Sequence, residues 1–480
     1  MGATFSLFRL PARCGSALLL AAPLWFAASP AAADWYGDQP SDPRASETAA
    51  LLDPFDPVPE IGRGDCRDGW YGCRRFDRFR DYDGRGRGQW DHGRWGHGRG
   101  PLHLSDRGAL MVDCSGQHRN MFSSVGAAAH HAPPNATILI LPPGDGGTCV
   151  ETVAIDRPLT IATLGGGSPA VIQAPANQPC LIADIPLGDT LTLDRIRFIA
   201  RGGKAPCVSV QAGHVVVRNS SIDSRTRDWA FDVAESGALN LEATRIETDG
   251  SGVHARRAKV ELHDFAITID SGHRGVALAL DRTDGTVDGG SIVGGSTGIL
   301  ASAGTRGLQL NDTKVHKAGT GVALLPGGLG SIAADRLDLS SNADGLVIGP
   351  GAESRITGSV ITNSGESGIA IYGAGTLVSG NKIVGARTGI RLSPPGMFSP
   401  PHAAEFMAEP PAGGHDGRPI VENNLVANVR YAAVAADEHA HGRVMGNVFY
   451  APGRAHCIAG GRYIEDRANA CHGSWLPWPF

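Results

Sequence analysis

The chain has 480 residues, a formal net charge of −5, 66 glycines and 19% charged residues. So even a charge balance excludes nucleic-acid binding by bulk charge. The glycine content suits a turn-rich β protein.

Residues 1–33 have the make-up of an export signal. Arg9 and Arg13 precede an apolar stretch from Ala17 to Ala28, and Ala31-Ala32-Ala33 fits a small-residue cleavage site. No later run is long enough to span a membrane. The expectation is an exported chain, periplasmic or extracellular. Cysteine usage agrees with it. Cys14 leaves with the signal, and the other eight fall in near pairs: Cys66/Cys73, Cys114/Cys149, Cys180/Cys207 and Cys457/Cys471. An even count in an oxidising compartment reads as disulfides. The close spacing that zinc ligands want is missing, so no metal site is assigned.

Residues 34–61 are acidic and carry prolines, which predicts a disordered leader. Residues 62–100 form a different low-complexity linker, with ten Arg, six Asp, eleven Gly and seven aromatics. Glycine at that density opposes a packed core. Its interleaved arginines and aromatics can stack on sugars or bases and pair with anions. The stretch NMFSSVGAAAHHA (120–132) predicts a short helix. After it, TILILPPGDGGTCVETVAIDRPLTIATLGGG (137–167) alternates as strands broken by glycine and proline.

A pair of apolar residues five positions apart then recurs: Leu193/Phe198, Val217/Ile222, Leu241/Ile246, Leu262/Ile267, Val287/Ile292, Leu310/Val315, Ile332/Leu337, Ile356/Ile361, Val378/Ile383, Val421/Val426 and Val444/Phe449. Successive second members lie 24, 24, 21, 25, 23, 22, 24, 22, 43 and 23 residues apart. The long step holds an insert at 394–419, rich in proline and glycine. Most pairs are followed by a short strand such as GVHA, GVAL, GILA or GIRL. A period of 21–25 residues without helix means one solenoid coil per repeat. The expectation is about eleven coils rising about 4.8 Å each. Two residues before each second apolar member stand Ser220, Thr244, Gly290, Thr313, Ser359, Asn381, Asn424 and Asn447, which suit a tight turn with left-handed backbone.

This pattern, with the helix and strand-rich lead-in, resembles a right-handed parallel β-helix of the pectin-lyase-like superfamily. The resemblance covers 110–470 and leaves a C-terminal tail, 471–480. It implies an all-β fold with an N-terminal capping helix, behind a disordered N-terminal arm. It also implies a site on the outer face of the sheet built from the Gly-Ile-x-Leu strands. Period-two alternation puts Ser209, Asp232, His254, Ala277, Leu300, Ala323, Val347, Ala370 and Arg391 on that face. The five in the middle are apolar, a stripe that can be covered by the insert, by a second copy of the chain or by a ligand.

Asp232 and His254 should be neighbours on adjacent coils, with Arg256 on the same strip. An Asp–His pair sets a histidine as general base, and Arg256 or Arg274 can neutralise a uronate carboxylate. Asp228, His273 and Arg274 are candidate substrate-binding residues around it. That kit suits β-elimination or epimerisation of an acidic polysaccharide better than hydrolysis. Asp228 and Asp232 as a carboxylate pair would serve the latter. The motifs of polygalacturonases, pectate lyases and alginate epimerases are absent from the coils. GHG at 96–98 and QWDH at 89–92 fall in the linker. Two classes stay open: an enzyme acting on polysaccharide, and a non-catalytic surface or periplasmic scaffold that binds polysaccharide or a partner. The sequence names no cofactor.

Overall fold

Each repeat folds as three short strands. In one coil these are Ser367–Tyr372, Leu377–Ser379 and Lys382–Val384. The apolar pair of the repeat is therefore split: Val378 lies on the second strand and Ile383 on the third, with a sharp corner between them. The computed structural model describes residues 108–270, 274–302, 305, 307–325, 331–399 and 417–473. The expected signal and leader, the 62–100 segment with Cys66 and Cys73, most of the insert, and the tail from 474 lie outside the described residues.

Equivalent strands of successive coils pair in parallel, which gives the solenoid three faces. The first carries the Gly-Ile-x-Leu strands. The third is a sheet of fourteen strands, from Thr148–Val150 to Ala470–His472. The first and second join into one sheet because Val208–Arg218 and Trp229–Glu242 run unbroken round the corner between them. The stack thus has about fourteen turns rather than eleven. Third-face strands Thr148–Val150 and Ala170–Gln173 lie in the lead-in, and Ala470–His472 lies past the last apolar pair.

Inward side chains make one continuous core from Leu110 to Ala451. The lead-in helix is shorter than expected, Val125–His131, and buries Val125, Ala128 and Ala129 against that core. Ser124 Oγ accepts from the amide of Ala127 at 3.0 Å, and the Glu151 carboxylate takes the amides of Val125 and Gly126 at 2.7 and 2.9 Å. Those bonds satisfy free N–H groups of the first turn.

Two expected registers shift by two residues. Val315 aligns with Leu339, not Leu337, and Ala334 rather than Ile332 aligns with Ile356. On the first face His254 aligns with Ala279, not Ala277. Away from the first face a slip of two preserves in/out alternation, so apolar alternation does not fix register; on the first face Ala277, expected outward, joins Leu278 in the core and Ala279 takes the outward place.

The turn chemistry also differs from expectation. Left-handed backbone falls one residue earlier, at Asn219 (φ 52°), Ala243 (47°), Asp312 (46°), Gly380 (68°), Asn423 (56°) and Gly446 (64°). The polar residues after them point inward as a buried ladder. The amide of Asn381 donates to Asn424 Oδ1 at 2.9 Å, that of Asn424 to Asn447 Oδ1 at 2.9 Å, and that of Asn447 to Asn469 Oδ1 at 2.8 Å. Ser359 and Ser220 hold the same place with their hydroxyls.

Three cysteine pairs form disulfides: Cys114–Cys149, Cys180–Cys207 and Cys457–Cys471, with Cα separations of 5.1, 5.0 and 6.0 Å. Among the described residues, no helix is long and apolar enough to cross a membrane.

Candidate functional site on the first face

Strands of the first face enter with two consecutive inward residues, such as Ala230 and Phe231, so alternation breaks there. Trp229 consequently emerges on the outside, beside the position of Asp232. The strand Ser251–Arg256 aligns with Trp229 opposite Ser251 and Asp232 opposite His254.

The two expected neighbours meet. His254 Nδ1 stands 3.0 Å from Asp232 Oδ1, and the imidazole stacks on Trp229 with ring centroids 4.7 Å apart at 21°. A carboxylate only accepts, so the bond places the ring proton on Nδ1 and the lone pair on Nε2. Nε2 is buried and, among the described residues, has no hydrogen-bond partner. His254 is only 5% exposed, whereas the sequence reading placed it on an open face. Trp229 covers the imidazole from one side, and sequence reasoning missed it because simple alternation would send it inward.

Other expected site residues are more scattered. Arg256, half-buried two residues along the strip, lies opposite Asp281, whose carboxylate accepts from Ser302 Oγ at 2.5 Å. Asp228 caps the strand entry by accepting from the Trp229 amide at 2.9 Å. Arg274 is exposed before Val276, and His273 lies outside the described residues. Arg225, part of the same mixed-charge region, is held away from the strip by Asp249 and Asp270, both at 2.7 Å, and Asp223 at 3.0 Å. The hydrogen bonds it donates to Asp270 and Asp249 raise its pKa further.

The apolar stripe is covered within the chain. Ala279, Leu300, Ala323, Val347 and Ala370 are all buried. Trp229, Val276, Ala279, Leu300, Ala323 and Leu325 cluster on the outside of the sheet, and Phe398 packs on them. Phe398 follows the short turn Pro395–Met397 at the start of the insert and meets Tyr372 edge-on at 5.3 Å.

Beyond the stripe the structure assembles a second polar group, of which sequence reasoning had placed only Arg391 on the face. Arg391 pairs with Asp437 at 3.2 Å, and Ser393 Oγ donates to Asp437 at 2.6 Å. Asp344, half-buried nearby, accepts from the Ser367 amide at 3.0 Å. Burial pushes its carboxyl pKa up, outweighing that bond, and burial likewise raises Tyr372. The signal available in sequence was a lone Asp at the strand entry, among Thr297, Thr320, Ser367 and Thr388.

Among the described residues, Cys114, Cys149 and Glu151 are the one group close enough to hold a metal ion. The two cysteines are joined in a disulfide and Glu151 caps the helix, so these groups are already committed.

The family described as "Right handed beta helix region" matches residues 297–472. No curated protein matches the sequence. Among solved structures, the A-module of the Azotobacter vinelandii mannuronan C-5 epimerase AlgE6 is similar at 14% identity and a TM-score of 0.52. The match covers 74% of this chain and 94% of that one. A periplasmic alginate epimerase, AlgG, matches at 12% identity and a TM-score of 0.40, over 67% of this chain and 78% of its own. The likeness to the AlgE6 module speaks to architecture alone. With three parallel faces, inward apolar ladders and the matched region, the chain folds as a right-handed parallel β-helix.

Proposed function

We propose that this is an exported β-helix protein that acts on an acidic polysaccharide at the Asp232–His254–Arg256 strip. One observation carries the reading: His254 is fixed by Asp232 so that its Nε2 lone pair, on the outer side of the first sheet, has no partner among the described residues. An orphaned buried nitrogen costs stability, and catalysis is one explanation for its retention. A base so placed can take the C5 proton of a uronate while a guanidinium such as that of Arg256 offsets charge on the carboxylate. Expulsion of the O4 substituent then gives an unsaturated uronate. Return of a proton to the opposite side of C5 gives the epimer.

In this reading residues 1–33 direct export, 34–61 and 62–100 form a leader and an arm, and the β-helix spans 110–470. The disulfides fit an oxidising compartment. Polysaccharide is the expected partner.

The depth of His254 favours a second reading, a non-catalytic polysaccharide-binding scaffold in which the Asp–His–Trp group only stiffens the coils. Turnover of acidic polysaccharides, read as unsaturated-uronate absorbance and as C5 configuration by NMR, decides between them. His254→Ala should cut turnover at least about a hundredfold with His254→Gln equally inactive. Full activity in either variant, or no turnover of any uronate polymer by the native chain, sinks the catalytic reading in favour of the scaffold.

A further inference from the structure

We infer that a separate cleft, on the outer side of the third face near the N-terminal end, is a binding site for a uronic-acid-containing saccharide. The cleft has a volume of about 560 Å³ and lies among Pro143, Ser168, Pro169, Val171, and the outward residues of three successive third-face strands. The register puts Val171, Arg197, Ser221 and Arg245 in one outward row, coil after coil. The next row carries Asp223 opposite Glu247.

Three features of this row point to a ligand rather than to a solvated surface. First, Arg245 is exposed, and among the described residues its guanidinium makes no ion pair or hydrogen bond. Arg197 reaches Asp223 only at 3.7 Å, because Asp223 is already held by Arg201 and Arg225, each at 3.0 Å. Two guanidinium groups thus retain donors in the cleft, two coil rises or about 9.6 Å apart along the stack. Guanidinium is the side chain best shaped to grip a carboxylate with two hydrogen bonds. Second, Ser221 sits between them with Glu247 alongside, so hydroxyls on the ligand would find both an O–H partner and an acceptor. Third, the floor and walls are apolar: Val171 is 8% exposed, and Pro143 and Pro169 flank it. C–H faces of a pyranose ring suit such walls.

The mixed lining selects among anions. A polyphosphate backbone would meet Asp223 and Glu247 along its whole length. A saccharide with one carboxylate per residue can direct its charge to Arg197 and Arg245 and its hydroxyls to the carboxylates. The site lies on a different face from His254, so it would hold the polymer without transforming it. It rests on the proposed function only for the choice of uronate as probe.

The test is calorimetric titration of the whole mature chain with a uronic acid hexamer and, in parallel, a neutral glucose hexamer, in about 50 mM salt where exposed charge pairs are little screened. The Arg197→Ala/Arg245→Ala double variant should weaken the uronate hexamer at least about tenfold and flatten the salt dependence. Because both side chains are exposed, its melting temperature should stay near that of the native chain. Arg245→Lys should recover only part of the loss, since an ammonium cannot grip bidentately. Equal binding of both hexamers, no binding of the uronate hexamer, or affinity indifferent to the double variant would overturn the proposal. Loss of turnover in His254→Ala would not bear on it, so the two readings fail separately.

Discussion

Replacing Asn424 by alanine should weaken the fold far more than an ordinary polar substitution. Asn424 is 1% exposed and ties three coils together. Its Oδ1 accepts from the amide of Asn381 at 2.9 Å and from Asn381 Nδ2 at 3.0 Å. Its Nδ2 donates to Val378 O at 2.9 Å and to Asn447 Oδ1 at 3.0 Å. Alanine removes all four bonds. Asn381 Nδ2 keeps a bond to Ile356 O, and Asn447 Oδ1 keeps the Asn424 amide. The Asn381 amide loses its side-chain acceptor and the Val378 carbonyl its side-chain donor, in a space no water reaches. At about 1–3 kcal/mol for each buried group left unmet, the expected loss is about 3 kcal/mol. Equilibrium urea unfolding followed by far-UV circular dichroism reads this as a lower midpoint at unchanged slope. Asn363 is the control, because it is exposed and occupies a left-handed turn position with φ 54°. Asn363→Ala should cost about 1 kcal/mol through backbone strain alone. If Asn424→Ala costs no more than Asn363→Ala, the ladder is not a determinant of stability and the argument fails.

Asp344→Asn should stabilise the chain at neutral pH. Burial raises the Asp344 carboxyl pKa, so folding favours the protonated form; its stabilising contribution is present below the unfolded pKa and lost as pH rises through the folded one. Asparagine keeps an acceptor for the Ser367 amide without the charge. The gain in melting temperature should therefore shrink as the pH falls through the folded pKa toward about 4, and stay small below it; a gain independent of pH would contradict the assignment. Ala243 takes a left-handed conformation at φ 47° with a Cβ in place. Ala243→Gly should raise stability by about 1 kcal/mol in the same denaturation assay; a loss would mean that the methyl group packs more than the backbone strains.

The repeat was legible in the sequence because inward apolar residues recur at a spacing set by the coil perimeter. The neighbouring of Asp232 and His254 followed from alternation plus repeat, with no motif needed. The ladder was not legible as such, since Ser220, Asn381 and Asn424 have the composition of turn formers and only their burial distinguishes them. Trp229 was hidden by the local break in alternation at Ala230 and Phe231. The cover over Leu300 and Ala323 depends on Phe398 folding back from an insert, which periodicity does not encode. The coils of the lead-in escaped notice because Cys149 and Ile172 hold their inward third-face positions without the apolar pair at the standard spacing.

A stack in which each coil touches only its neighbours melts as a zipper does, from its ends, and each end strand has bonding partners on one side alone. Cys114–Cys149 lies at one terminus of this stack, and Cys457–Cys471 ties the first-face strand of the last coil to its third-face strand. Cross-links at those two places act as end-stops. They raise the free energy of the first coil to open at either terminus, the step from which unravelling would spread. The disulfides thus influence cooperativity as well as stability: with them intact the solenoid should open as one unit, and after reduction it should fray coil by coil over a broader temperature range.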